Sequence, residues 1–199
     1  MKVLRRSWRL AWLAGCTALM AGMAGVAAGP AQAQATGVIF QSHVVASWGD
    51  NVSGELGDGT HVSRSLDRDI NAGNQVVQVS SGVYHSLAVR SDGTVWAWGL
   101  NNNGQLGRGG TSDHEAAPAR VLVLNRITRI AAAGSFALAL RSDGIVFAWG
   151  ANDEGELGNG TTAQSSGPVQ VTGLTSATQV SAGYVSSLAV HTVPYLIGS

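Results

Sequence analysis

Apolar and polar residues alternate in short runs along most of the chain. Over residues 119–149 four runs follow one another, at 119–124, 127–132, 136–140 and 145–149. Each is too short for a helix and ends at turn residues, so each predicts a strand. The last two flank Arg141-Ser142-Asp143-Gly144, and about 50 residues earlier Arg90-Ser91-Asp92-Gly93 holds the same place. Asp-Gly between apolar runs predicts a hairpin, because glycine takes positive φ without steric cost. No segment beyond the N-terminal region keeps a helical period, so the pattern predicts an all-β fold.

The pattern repeats. Trp48-Gly49-Asp50-Asn51, Trp98-Gly99-Leu100-Asn101 and Trp149-Gly150-Ala151-Asn152 each lead into a glycine-rich run: Gly54-Glu55-Leu56-Gly57, Gly104-Gln105-Leu106-Gly107 and Gly155-Glu156-Leu157-Gly158. The tryptophans lie 50 and then 51 residues apart. A second motif keeps step, with Leu87-Ala88-Val89, Leu138-Ala139-Leu140 and Leu188-Ala189-Val190 each following a small residue at Gly82, Ala133 or Gly183. Four short strands in a period of this length predict propeller blades of four antiparallel strands, about three of them, over residues 36–199.

These motifs resemble the regulator of chromosome condensation repeat family. Trp98-Gly99-x-Asn101-x-x-Gly104-Gln105-Leu106-Gly107-x-Gly109 follows that family's first signature, and Gly82-x-x-His85-Ser86-Leu87-Ala88-Val89 its second. The resemblance implies a β-propeller, usually seven-bladed, whose face binds a partner. The chain departs from it in three ways. The signature histidine occurs at His85, with Phe136 and Val185 set opposite it in the other units. The proline of the first strand is present at Pro118 and Pro168 but is replaced by Asp67-Arg68 in the first unit. Only about three units are present, a partial propeller or part of an oligomeric ring. Truncation of a longer product is the favoured account, because Pro194 poorly suits the middle of a closing strand. The alternative is two copies joined head to tail into a ring of about six blades.

The N-terminal region changes the charge balance. Residues 1–9 carry Lys2, Arg5, Arg6 and Arg9, residues 10–28 are apolar, small or Thr, and Ala31-Gln32-Ala33-Gln34-Ala35 follows Gly29-Pro30. This is the pattern of a cleavable export signal over residues 1–35, with cleavage after Ala33 or Ala35, and it predicts a secreted or periplasmic protein. Leu13-Ala14-Gly15-Cys16 offers a lipid anchor through Cys16 as the alternative. Removing the signal leaves eight arginines against twelve acids, a formal charge of −4. That balance gives no reason to expect nucleic acid or an anionic membrane as partner. Cys16 is the sole cysteine, so no disulfide or Cys metal site is expected.

The repeated residues read as structural. Trp48, Gly49, Trp98, Gly99, Trp149 and Gly150 are expected to pack the blades, with Trp96 more core than surface. The glycine-rich runs lead into polar residues instead of a helix, so they do not form a phosphate cradle. Asn51-Val52-Ser53 and Asn159-Gly160-Thr161 match a glycosylation acceptor but fall inside the repeat. His85 next to Ser86 makes no triad, and no catalytic motif, cofactor or metal site is expected. Recognition is assigned to the segments that differ between units, at 60–69, 110–117 and 161–167, read as loops. Their candidate residues are His61, Arg64, Arg68, Asp69, Asp113, His114 and Glu115. The reading is a non-enzymatic, exported binding or scaffold module whose partner is another protein or a cell-surface component, with self-association to close the ring. A guanine-nucleotide exchange regulator, implied by the family name, and a carbohydrate- or ligand-binding propeller are the alternatives. Expressed in a bacterium, the protein should appear outside the cytoplasm with its first residue at Gln34 or Thr36, as read by intact mass. A soluble cytosolic product retaining Met1 contradicts the export reading, and a lipid-bearing start at Cys16 replaces it with the anchored form.

Overall fold

A computed structural model describes residues 43–193. The expected export signal at 1–35, Cys16 and Pro194 lie outside the described residues. Twelve strands follow one another: β1 Val45–Gly49, β2 Arg64–Ile70, β3 Val76–Ser81, β4 His85–Arg90, β5 Val95–Asn101, β6 Ser112–Arg120, β7 Ile127–Ala132, β8 Phe136–Arg141, β9 Val146–Gly150, β10 Ser165–Gln170, β11 Ala177–Gly183 and β12 Ser186–His191. They form two complete four-stranded antiparallel blades, β3-β4-β5-β6 and β7-β8-β9-β10, and two half-blades, β1-β2 and β11-β12. The propeller architecture holds, but the unit is cut differently from the sequence period. The fourth strand of a blade follows the Trp-Gly strand through the glycine-rich loop. One sequence repeat therefore begins in one blade and ends in the next.

This offset corrects two expectations. The run at 119–124 is not a strand. β6 ends at Arg120, and Val121 and Leu124 turn inward as buried residues of the link to the next blade. The segments read as variable loops hold most of β2, the start of β6 and the start of β10. These are the outermost strands, paired along one edge only, and apart from the buried Ile70 at the end of β2 their side chains stay half-exposed or exposed. A strand with little to bury has no apolar alternation, so its polar sequence reads as loop.

The Asp-Gly turns form as expected. Asp92 accepts from the amide and hydroxyl of Thr94 at 2.9 and 2.7 Å, and Arg90 N closes the hairpin onto Thr94 O at 3.0 Å. The middle strands β4 and β8 are buried throughout except for their final arginine. The main core lies between the two complete blades, where Leu87, Val89 and Leu106 meet Val121, Ile130 and Trp149.

The tryptophans show what the glycine-rich loop is for. Trp98 and Trp149 are buried, and each indole Nε1 donates at 2.8 Å to a carbonyl of the loop one unit earlier, Glu55 O and Gln105 O respectively. Gly57 and Gly107 lie directly beneath. A Cβ there would stand 2.6 and 2.7 Å from the indole nitrogen, and their φ of 75° and 68° also excludes most side chains. Trp48 departs from its expected packing role. It is 64% exposed, because no earlier loop among the described residues covers it. Trp96 is half-buried, with the Arg90 guanidinium 3.8 Å over its ring. Trp98→Ala should cost about 3–5 kcal/mol, a large part of a typical total of roughly 5–15 kcal/mol. Trp48→Ala in the isolated chain should cost under about 0.5 kcal/mol, as an exposed position does. Urea unfolding of both variants checks the contrast, and equal losses contradict it.

Candidate functional site

By the alternation of strand direction, the loops after β1, β5 and β9 and the tight turns after β3, β7 and β11 share one end of the blades. Leu100 N donates to Tyr84 O at 2.7 Å across that end. The Asp-Gly hairpins lie at the other.

At the first end each loop is clipped by a buried asparagine. Asn51 Oδ1 accepts from Leu56 N at 2.9 Å, while its Nδ2 donates to Thr60 O at 2.9 Å and Val62 O at 3.2 Å. Asn101 and Asn152 repeat the arrangement with Leu106 N at 3.1 Å and Leu157 N at 2.8 Å. The acidic or amide residue of each loop closes it further: Glu55, Gln105 and Glu156 accept from the amides of Ser53, Asn103 and Glu154 at 2.8, 2.9 and 3.0 Å. The asparagine's structural role was missed from sequence. Its exact recurrence three residues after each Trp was the available signal. The Asn51 amide is fully used inside the loop, so it is not available as an acceptor of sugar.

The candidate residues then sort into two groups. His61 and His114, from successive units, meet edge to face with ring centroids 4.5 Å apart. In the same two segments Arg64 pairs with Asp58, and Glu115 with Arg108 at 2.9 Å. Burial works to raise the Asp58 carboxyl, but hydrogen bonds from Thr60 and Arg64 outweigh it and hold it at about 2. The histidine pair and the 2.9 Å bond from Gly59 N to Ala116 O join the segments that carry His61, Arg64, His114 and Glu115 into one rim. Arg68, Asp69 and Asp113 do not join it. Arg68 and Asp69 lie along β2 opposite Ser47 and Ala46, and Asp113 lies on β6. All three are exposed and make no side-chain hydrogen bond or ion pair among the described residues. Only His61 of the seven is in a loop; the other six sit on outer strands. No three His, Cys, Asp or Glu side chains gather as metal ligands among the described residues.

His85 belongs to the core between blades. It is fully buried, neither ring nitrogen has a hydrogen-bond partner, and a side chain at Gly82 would collide with it. Burial lowers its imidazole to about 4, against a weaker opposing pull from the backbone of Phe136. Strand register corrects one alignment. Leu87, Leu138 and Leu188 pair with Ser80, Ala131 and Ser181, so the positions two residues earlier are His85, Phe136 and Ser186. Ser186, not Val185, is the third member.

Repeated blades of this kind, with the loop of one unit clasping the Trp-Gly strand of the next, define a β-propeller built from tandem repeats. The regulator of chromosome condensation (RCC1) repeat model matches residues 44–89, 92–140 and 143–190, and the chain belongs to that family. It is 36% identical over 176 residues to the human E3 ubiquitin-protein ligase HERC2, covering 84% of this chain and 4% of that protein. To the Arabidopsis thaliana ultraviolet-B receptor UVR8 it is 35% identical over 137 residues, covering 67% and 31%. The chain thus spans less than a third of either relative. Among solved structures, human WBSCR16 superposes with a TM-score of 0.64 at 25% identity, over 73% of this chain and 39% of that one. Yeast RCC1 (Prp20), solved with Kap60 bound, superposes with a TM-score of 0.62 at 24% identity, over 74% and 37%. These likenesses support a propeller regulator or binding module.

The buried His85 gives a pH dependence with a defined sign. The unfolded imidazole takes its proton near 6.5 and the folded one only near 4, so the unfolded state binds more protons between these values. Stability should therefore fall as pH drops from about 6.5 to about 4, by up to about 3 kcal/mol. His85→Phe, which installs the side chain of Phe136, should fold at pH 7 and lose that part of the slope. Urea midpoints at the two pH values measure it, and an unchanged slope in the variant contradicts the assignment.

Proposed function

We propose that this chain is an exported, non-enzymatic binding module, and that its rim around His61 and His114 contacts a partner protein. The observation behind this is a division of labour among polar groups. The asparagines, and the Glu or Gln that follows in every unit, are consumed in clipping the loops. The polar residues that do not recur come together across two units, at the 4.5 Å histidine pair and the ion pairs of the same two segments. A rigid repeated scaffold that presents a non-repeated polar rim is suited to recognition. The paired histidines and fixed arginines supply donors and flat surfaces, the kind of groups that protein interfaces favour. The Kap60-bound form of yeast RCC1 shows that a related propeller binds a protein. Export is supported by the basic start, apolar middle and small-residue end of residues 1–35.

A photo-crosslinking amino acid placed at position 114 and, separately, at position 142 in the opposite hairpin tests the reading in the producing organism. Adducts to a protein from position 114, lost in the His61→Ala, Arg64→Ala background and absent from position 142, are expected. Equal labelling from both positions, or none from 114, contradicts it.

A further inference from the structure

The two half-blades are complementary. β1-β2 is an outer half, equivalent to β5-β6 and β9-β10, and β11-β12 is an inner half, equivalent to β3-β4 and β7-β8. Among the described residues the inner edge of β1 and the outer edge of β12 have no strand beside them. Side chains that are buried at the interior junctions are bare at these ends. Leu188 on β12 is 67% exposed, whereas its equivalents Leu87 and Leu138 are 0% and 2%.

A vacant seat lies beside β12. At the first interior junction Glu55 O accepts both Trp98 Nε1 at 2.8 Å and Ser86 Oγ at 2.9 Å. In the last unit Glu156 O accepts Ser187 Oγ at 2.6 Å, and no indole among the described residues reaches it. A groove of about 560 Å³ opens there, lined by Glu156, Gly158, Val171, Ser187 and Leu188. Gly57 and Gly107 are pressed by a tryptophan, but a Cβ on Gly158 would meet only Val171. Gly59 N and Gly109 N donate to the outer strand of the next unit, at Ala116 O and Ser166 O, 2.9 and 2.8 Å away. Gly160 N has no such partner among the described residues.

The inner strands carry a second match. Between the complete blades the Gln78 side-chain amide brackets the backbone of Ile130, donating to its carbonyl at 2.9 Å and accepting from its N–H at 3.0 Å, and Ser80 Oγ accepts from Ala132 N at 2.9 Å. At the next junction the equivalent residues are Arg129 and Ala131. β11 restores the pair with Gln179 and Ser181. The backbone they would address, by the same register, is that of Val79 and Ser81 on β3. Val79 is exposed, although its equivalent Ile130 is buried.

We propose that β12 of one chain receives β1 of a second copy, completing one four-stranded blade across the seam. The register follows the interior blades, in which Ser86 faces Trp98, Ala137 faces Trp149, and Val89 faces Val95. It sets Ser187 opposite Trp48, Ala189 opposite Ala46 and Val190 opposite Val45 of the second copy. The Trp48 indole donates to Glu156 O, and Gln179 brackets Val79 of the second copy. The partner is a second copy because this chain carries every part of the junction: the Trp-Gly strand, its seat, and the Gln-Ser pair with its matching backbone. Strand addition of this kind takes backbone hydrogen bonds for affinity and a side-chain pocket for specificity. The contact is head to tail, so it grows until a ring closes. It is independent of the rim proposed above as the partner site.

Two variants, each disabling one end, test this. Trp48 and Leu188 are both exposed within a single chain, so Trp48→Arg and Leu188→Arg should each leave its fold intact. In sedimentation velocity on the full chain at micromolar concentration, the wild type should form dimers or larger closed species. Each variant alone should be monomeric, with self-association weakened at least tenfold. Mixed in equal amounts they should form a one-to-one complex and stop there, because Trp48→Arg keeps the seat and Leu188→Arg keeps the strand. If either arginine variant loses its β-sheet circular dichroism, the corresponding alanine variants serve in the same mixture. A monomeric wild type, which is the outcome if another segment of the same chain fills the seat, overturns the proposal. So do single variants that assemble like the wild type, or a mixture that stays monomeric.

Discussion

The fold turns on one contact: a tryptophan indole lying over the glycines of the preceding unit's loop, with its N–H held by that loop's carbonyl. Trp98 on Glu55 and Trp149 on Gln105 are the two realised cases. The loop must present a carbonyl and a flat, side-chain-free floor at once. That requirement explains why the glycines at 57 and 107 recur with the tryptophan, and why a buried asparagine clips each loop into shape. Burying an aromatic of this size contributes a large apolar area, and the indole N–H needs a partner once it is out of water. The loop supplies both conditions.

Because each contact joins neighbouring units only, stability is distributed as in a linear array of repeats. Interior junctions are well buried, and the main apolar core lies between the two complete blades. The ends behave differently although their sequences repeat the interior. Trp48 and Leu188 have the residue types of core positions and the exposure of surface positions. Identical chemistry with opposite burial is the observation behind the proposed joining of two copies at these ends. The rim proposed for recognition is separate from them, built from residues that do not recur and gathered where two successive units meet at the His61–His114 pair.

Much of the fold was legible in the sequence. Short apolar runs, Asp-Gly turns and the tryptophan period carried the all-β class, the inner strands and the hairpins. The outer strands were not legible, because Arg64–Ile70 and Ser112–Arg120 bury little and so show no alternation. For the same reason the candidate residues there read as loop. That His61 touches His114 could not be read at all, since it depends on the stacking of two units whose variable segments share no sequence. Trp48 was misjudged because a motif reports what a residue can pack against and not whether the neighbour is present. Val185 was set in the wrong slot by alignment over a short motif, and strand register put Ser186 there.

The central claim is that the loop of one unit is held by the Trp-Gly strand of the next. Amide hydrogen exchange on Trp98→Phe tests it most directly, since this variant keeps an aromatic ring and loses the N–H donated to Glu55 O. Faster exchange in the loop over residues 51–59, whose Glu55 lies 43 residues away in sequence, with β8 and β9 still protected, is the predicted result. Loss of protection confined to β5, or spread evenly over every strand, would contradict the account.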